Sequence, residues 1–174
     1  IGVSDHSRSA FYAGGLTIEQ IIKQHAAIDG LNEKHAPFYI FKGIESDIAP
    51  DGSLDYDEDT LARFDFVIAS VHSGFNMPKA EMTRRIKKAL TNPHTTMLAH
   101  PTGRLLLSRE PYAVDIQEII DTAAEHAKAL ELNAYPQRLD LDWRNCIHAV
   151  KKGVKIAINP DAHSVDGFGH IALG

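Results

Sequence analysis

Phe66-Val67-Ile68-Ala69-Ser70-Val71-His72 is a short apolar run that ends in a histidine. Its length and its β-branched residues favour a strand. Comparable apolar runs recur along the chain at residues 1–3, 38–44, 96–99, 129–132 and 154–158. Near-continuous apolarity is typical of strands that are covered on both faces, as in a parallel sheet. We therefore predict six such strands.

Helical patterns separate most of these runs. Thr17 and Asp115 each begin a sequence typical of a capping box, and Pro78 suits the first turn of a helix. A last helix is expected within residues 140–153. Alternating strands and helices predict an α/β fold with a parallel sheet. Six strands fit either an open doubly wound sheet or part of a barrel.

Composition is that of an ordinary globular protein, and we predict one domain over residues 1–174, with 44% hydrophobic and 24% charged residues. No apolar run is long enough to cross a membrane, and no signal peptide pattern is present. Cys146 is the single cysteine, which excludes an internal disulfide and a cysteine-rich zinc site. We expect a cytoplasmic protein without a membrane partner. The chain begins at Ile1 inside an apolar run, so we expect a fragment of a longer protein.

The net charge of −5 argues against a broadly basic nucleic-acid-binding surface. It leaves open a nucleic-acid substrate held mainly through metal ions. No G-x-G-x-x-G or G-x-x-x-x-G-K-[ST] motif follows a predicted strand, which excludes the common nucleotide fingerprints. No G-x-S-x-G motif points to a covalent hydrolase.

Potential metal ligands follow five of the six predicted strands at their carboxyl ends, where active sites of parallel α/β folds form. They are His6, Glu45, His72, His100, Asp161 and His163. Imidazoles and carboxylates without thiolates suit Zn²⁺, Mn²⁺ or Fe. Six ligands exceed the number that one catalytic zinc uses, which indicates more than one metal. In an extended strand, Asp161 and His163 would point to the same side. Clustered metals suit hydrolysis of phosphate esters.

Several motifs resemble the PHP (polymerase and histidinol phosphatase) family. They are Ser4-Asp5-His6-Ser7, Gly43-Ile44-Glu45-Ser46-Asp47-Ile48, His100-Pro101-Thr102-Gly103-Arg104, Arg138-Leu139-Asp140 and Asp161-Ala162-His163-Ser164. The similarity covers essentially the whole chain and is closest to the carboxyl-terminal PHP domain of bacterial X-family DNA polymerases. It implies a distorted (β/α)7 barrel. The family's first strand carries His-x-His, so we expect this chain to lack the first strand and the carboxyl-terminal end of that barrel.

The resemblance also implies roles for individual residues around up to three divalent metals, Mn, Zn or Fe. Glu45 would bridge two metals, with His72 and His100 completing one site and Asp161 belonging to the other. His6 and His163 would share the third metal. Glu45, Asp161 and His163 would act in catalysis through the metals. Arg104 and Arg138 are the candidates for contacts to the substrate phosphate.

The function implied by the resemblance is a Mn²⁺-dependent phosphoesterase of the 3′–5′ exonuclease type, acting on DNA 3′ ends in repair. Its partner would be a polymerase domain upstream in the parent chain. Two alternatives are a histidinol-phosphatase-like enzyme acting on a phosphorylated small molecule, and a non-catalytic structural PHP module. Because part of the barrel would be missing, we expect the isolated chain to be weakly active or inactive.

Overall fold

The computed structural model describes residues 1–174, and its centre is one sheet of six parallel strands. The strands are β1 (Gly2–His6), β2 (Phe41–Asp47), β3 (Phe66–Ser70), β4 (Thr95–Leu98), β5 (Ala129–Asn133) and β6 (Ile156–Asn159). The helices are α1 (Ile18–His35), α2 (Glu58–Leu61), α3 (Lys79–Thr91), α4 (Ile116–Glu125) and α5 (Trp143–Lys151). Two 3₁₀ segments cover Phe11–Ala13 and Val165–Leu173.

Strand order in the sheet is the order of the strands in the chain, with β1 and β6 at the edges. A doubly wound sheet reverses its strand order at a switch point, whereas a β/α barrel keeps the sequential order seen here. Residues from all six strands line one cavity, so the sheet is curled. The predicted α/β fold is confirmed, and the architecture is that of a partial β/α barrel.

The register of the sheet brings the predicted ligands to one edge. His6 pairs directly with Glu45 across β1 and β2, and Glu45 pairs with Ile68 of β3. His72 and His100 follow the ends of β3 and β4 by two residues each. Because parallel strands end on the same side of a sheet, these side chains meet above the carboxyl ends.

Helix starts follow the sequence at one of the two expected capping boxes. At Thr17 both bonds form, since its hydroxyl accepts from the Gln20 N–H and its N–H donates to the Gln20 side chain. At Asp115 only the carboxylate bond to the Glu118 N–H forms. The Asp115 N–H donates instead to the Thr83 hydroxyl at 2.9 Å. A contact between helices has replaced the local bond.

The hydrophobic core lies between the convex face of the sheet and the helices. Ile44, Leu98 and Leu130 of the sheet are fully buried against Ile86 of α3 and Ile119 of α4. The expectation that every strand is covered on both faces is wrong at several strand positions. Their side chains remain between 38% and 49% exposed on the chain surface; they are Ile1, Val3, Phe41 and Ile158. These residues line the cavity on the concave side of the sheet, and no residue of helices α1–α5 lines that cavity. None of the helices combines the length and apolarity needed to cross a bilayer.

Candidate metal centre

The cavity on the concave side has a volume of about 1000 Å³ and reaches the carboxyl ends of the strands. Five of the six predicted ligands line it, namely His6, Glu45, His100, Asp161 and His163. The sixth, His72, contacts Glu45 from the side. The structure therefore brings all six predicted ligands to one region. Within that region they form two groups of different character.

The first group surrounds the Glu45 carboxylate, and we call Glu45, His6, His72, His100 and Asp47 the Glu45 cluster. Glu45 Oε1 lies 3.0 Å from His100 Nε2 and 3.3 Å from His72 Nε2. Glu45 Oε2 lies 3.4 Å from His6 Nδ1. Three imidazoles from three different strands thus converge on one carboxylate.

Asp47 was not among the predicted ligands, although it lies on the same face of β2 as Glu45. Its Oδ1 is 2.5 Å from His72 Nδ1, and its Oδ2 accepts a hydrogen bond from the Ser9 hydroxyl at 2.9 Å. With its Nδ1 atom bonded to Asp47, His72 directs its Nε2 atom towards Glu45. A carboxylate behind a ligating histidine is a common way of orienting the ring. The two-residue spacing from Glu45 was the sequence signal for Asp47.

Charge within the Glu45 cluster shifts the pKa values of both partners. Burial alone would raise the pKa of Glu45, but hydrogen bonds and positive charge from His100 and His72 hold it well below its usual range. Burial alone would lower the pKa of His72, but the carboxylates of Asp47 and Glu45 raise it to about 9. These ion pairs hold the side chains of the cluster together. Both shifts show that the cluster favours positive charge next to the Glu45 carboxylate.

The donor set of the Glu45 cluster fits a divalent transition metal. Glu45, His72 and His100 offer one ligand atom each within 4.8 Å of one another, and so do His6, Asp47 and His72. The Nδ1 atom of His6 is buried and has no hydrogen-bond partner, although it faces Glu45. An imidazole nitrogen left unpaired beside a carboxylate is available for a metal.

The second group, the Asp161 pair, consists of Asp161 and His163. β6 ends at Asn159, and Asp161 has a left-handed backbone with φ of 50°. The expectation that an extended strand points both side chains to one side is therefore not met. His163 Nδ1 bonds the Asp161 carbonyl at 2.9 Å, and the His163 side chain is 75% exposed. The pair belongs to neither of the three-residue ligand groups, and its metal-binding role stays a prediction.

The two predicted phosphate-binding arginines have different surroundings. Arg104 donates from Nε to the Arg138 carbonyl at 3.0 Å and from Nη2 to the Leu139 carbonyl. The guanidinium of Arg138 lies beside Asp161, with Nε to Oδ2 at 3.6 Å, and its Nη1 atom is buried without a partner. Arg104 is thus engaged in holding a loop. The Arg138 guanidinium lies next to the Asp161 pair, but neither arginine lines the cavity.

Comparison with known proteins identifies relatives of the chain. Over all 174 residues the chain is 47% identical to the DNA polymerase/3′-5′ exonuclease PolX of Bacillus subtilis. The chain belongs to the PHP family. This PHP chain spans 30% of the length of that relative. No protein-family model matches it.

Further relatives of the PHP chain are named phosphatases. It is 36% identical to a probable phosphatase of Caldicellulosiruptor saccharolyticus, over 71% of the chain and 53% of that protein. The chain also matches a solved structure of histidinol phosphate phosphatase from Lactococcus lactis, complexed with zinc, L-histidinol and phosphate. The match covers 82% of this chain and 76% of the phosphatase chain. Sequence identity there is 15% and the TM-score is 0.41, a loose similarity of shape. The names of these sequence relatives, an exonuclease and a phosphatase, both belong to the predicted class of hydrolases.

Proposed function

We propose that this chain is the phosphoesterase domain of a longer DNA repair protein, and that it removes nucleotides from DNA 3′ ends with Mn²⁺. The convergence of His72 and His100 on Glu45 carries the proposal, because it brings together ligands that suit a divalent metal beside an open cavity. The similarity to PolX, whose name includes a 3′-5′ exonuclease, supports DNA as the substrate. A polymerase domain in the same protein is the proposed partner.

The residues of the chain would divide the work. Glu45 with His72 and His100 would hold one divalent metal, and Asp161 with His163 would complete further sites, up to three in all. A divalent metal, when bound, activates water and neutralises charge on phosphoryl oxygens. Asp47 keeps the His72 ring in the orientation that presents Nε2 to the cavity. Arg138 would donate to a phosphoryl oxygen, since its guanidinium lies beside Asp161.

One experiment separates this proposal from its alternatives. Single-stranded DNA labelled at its 5′ end is incubated with the chain, and with the longer protein that contains it, in Mn²⁺. We expect stepwise shortening from the 3′ end, faster in the longer protein, and none with EDTA or with Glu45→Gln. The Glu45→Gln protein, purified identically, controls for contaminating nucleases.

A parallel reaction with histidinol phosphate tests the second candidate, which the identity to probable phosphatases favours. Rapid release of phosphate with intact DNA would replace the exonuclease by a small-molecule phosphatase. No turnover of either substrate by the metal-loaded longer protein would leave a structural module.

A further inference from the structure

Glu131 is a buried acidic residue on the strand next to edge strand β6, and the metal site proposed above does not use it. It lies on β5, is 4% exposed, and has no lysine, arginine or histidine as an ion-pair partner. Its Oε2 atom accepts the backbone N–H of His100 at 2.7 Å, and its Oε1 atom accepts from the Asn159 amide at 2.9 Å. Burying a carboxylate without a nearby cation costs free energy. We therefore expect the hydrogen bonds of Glu131 to serve a role in this site.

Asn133, two residues further along the same face of β5, extends these contacts. Its Nδ2 atom donates to Glu131 Oε2 at 3.3 Å and to Asp161 Oδ2 at 3.0 Å. Its Oδ1 atom accepts the Tyr135 backbone N–H at 3.0 Å, which fixes which end of the amide faces the two carboxylates. One buried network therefore joins the turn after β4 to the turn after β6.

Both residues held by this network have unusual backbone conformations. His100 has φ of 28° and Asp161 has φ of 50°, in the left-handed region that non-glycine residues seldom occupy. Such conformations persist where surrounding contacts over-determine them. Glu131 accepts a hydrogen bond from the backbone N–H of His100, and Asn133 donates a hydrogen bond to the carboxylate of Asp161. The network thus fixes where each of the two candidate ligands leaves its strand.

We propose that Glu131, acting through its own oxygens and through Asn133, is a positioning residue that sets the placement of His100 against Asp161. Both Glu131 oxygens already accept N–H groups, so a supporting role fits better than direct metal ligation. The inference rests on the proposed metal site. It adds that the two halves of this site are coupled by a side chain that touches neither substrate nor metal.

The test uses Co²⁺ as the probe, because its visible absorption reports ligand geometry as well as binding. Glu131→Gln has nearly the same size but replaces one acceptor oxygen by an amide donor, so the N–H contacts to one of the two oxygens fail. Losing a supporting contact typically lowers metal affinity by roughly 10–100-fold. We expect a loss of this size, measured by chelator competition, together with a changed Co²⁺ spectrum.

Asp140→Asn is the matched control. Asp140 is an equally buried carboxylate near the same strand end, but its oxygens accept from the N–H and hydroxyl of Thr102 rather than from a candidate ligand. It should lower the melting temperature without changing Co²⁺ affinity or spectrum. Asn133→Ser provides a milder variant should Glu131→Gln not fold, since only the bonds from the Asn133 amide are lost. It should weaken Co²⁺ binding by a smaller factor.

The outcomes are distinct. A Glu131→Gln protein with wild-type affinity and spectrum overturns this inference alone, and so does an Asp140→Asn protein that loses as much affinity. If Glu131→Gln does not fold, wild-type affinity and spectrum in Asn133→Ser overturn it. A wild-type chain that binds no Co²⁺ overturns the proposed metal site, and this inference with it.

Discussion

The Glu45 cluster and the Asp161 pair occupy the same edge of one sheet but differ in how far they are organised. Around Glu45, the side chains of His72 and His100 are 11% and 3% exposed, and both rings point at one oxygen atom. In the Asp161 pair, the His163 side chain is 75% exposed and bonds the carbonyl of its own turn.

The difference follows from position in the sheet. β2, β3 and β4 each have neighbours on both sides, and the residues after them are held by the next strand or loop. β6 is an edge strand with one neighbour, so fewer contacts restrict the residues that follow it. A site on rigid, mutually supported strands needs less ordering when a ligand binds. The Glu45 cluster should therefore bind metal more tightly than the Asp161 pair.

The largest effect should come from Glu45→Gln. The substitution keeps the shape of the side chain but removes the charge that two imidazoles face. We therefore expect metal affinity to fall by more than about 100-fold, which is more than the loss caused by substituting a residue that only supports a ligand. Asp161→Asn is the matched variant at the other group and should leave the tightest bound metal in place. Metal content after dialysis measures both. Equal losses in the two variants would contradict the difference between the groups.

A smaller effect is expected from Asp47→Asn. An amide oxygen accepts the His72 Nδ1–H bond more weakly than a carboxylate, so the ring is less well oriented. Metal affinity should fall roughly 10-fold, the low end of the range for residues that orient a ligand. Asp65→Asn is the control, because Asp65 bonds the Lys42 N–H at the opposite end of β2. Chelator competition measures the affinity. An unchanged value for Asp47→Asn would show that Asp47 does not orient His72.

The smallest effect on metal binding should come from Arg104→Ala. Arg104 donates hydrogen bonds to the carbonyls of Arg138 and Leu139. Loss of the Arg104 side chain should therefore lower the free energy of unfolding by about 1–2 kcal/mol, the size expected for hydrogen bonds of a charged group that are exchanged for bonds to water. Metal content should not change. Chemical denaturation followed by metal analysis tests both points. Losing one charge-stabilising contact typically lowers turnover roughly 10²–10³-fold. If Arg104→Ala lowers turnover by that factor and leaves stability unchanged, Arg104 contacts the substrate phosphate after all.

Much of the fold was predictable from local sequence. All six strands lie close to the predicted runs, because short β-branched segments have few alternatives to a buried strand. The capping box at Thr17 formed as predicted, since its partners are three residues apart. The box at Asp115 formed only in part, because Thr83 from another helix competes for the same N–H group. Bonds within one turn are set by sequence, whereas a competing partner from elsewhere is not visible in it.

The candidate site divides in the same way. The sequence by itself placed six potential ligands at strand ends, because the carboxyl ends of parallel strands must lie on one side. Only the tertiary structure decided which of them converge, that Asp47 stands behind His72, and that Glu131 joins His100 to Asn133. These contacts join residues up to 55 positions apart, and they depend on strand register, curl and burial. Those properties arise from packing the whole chain.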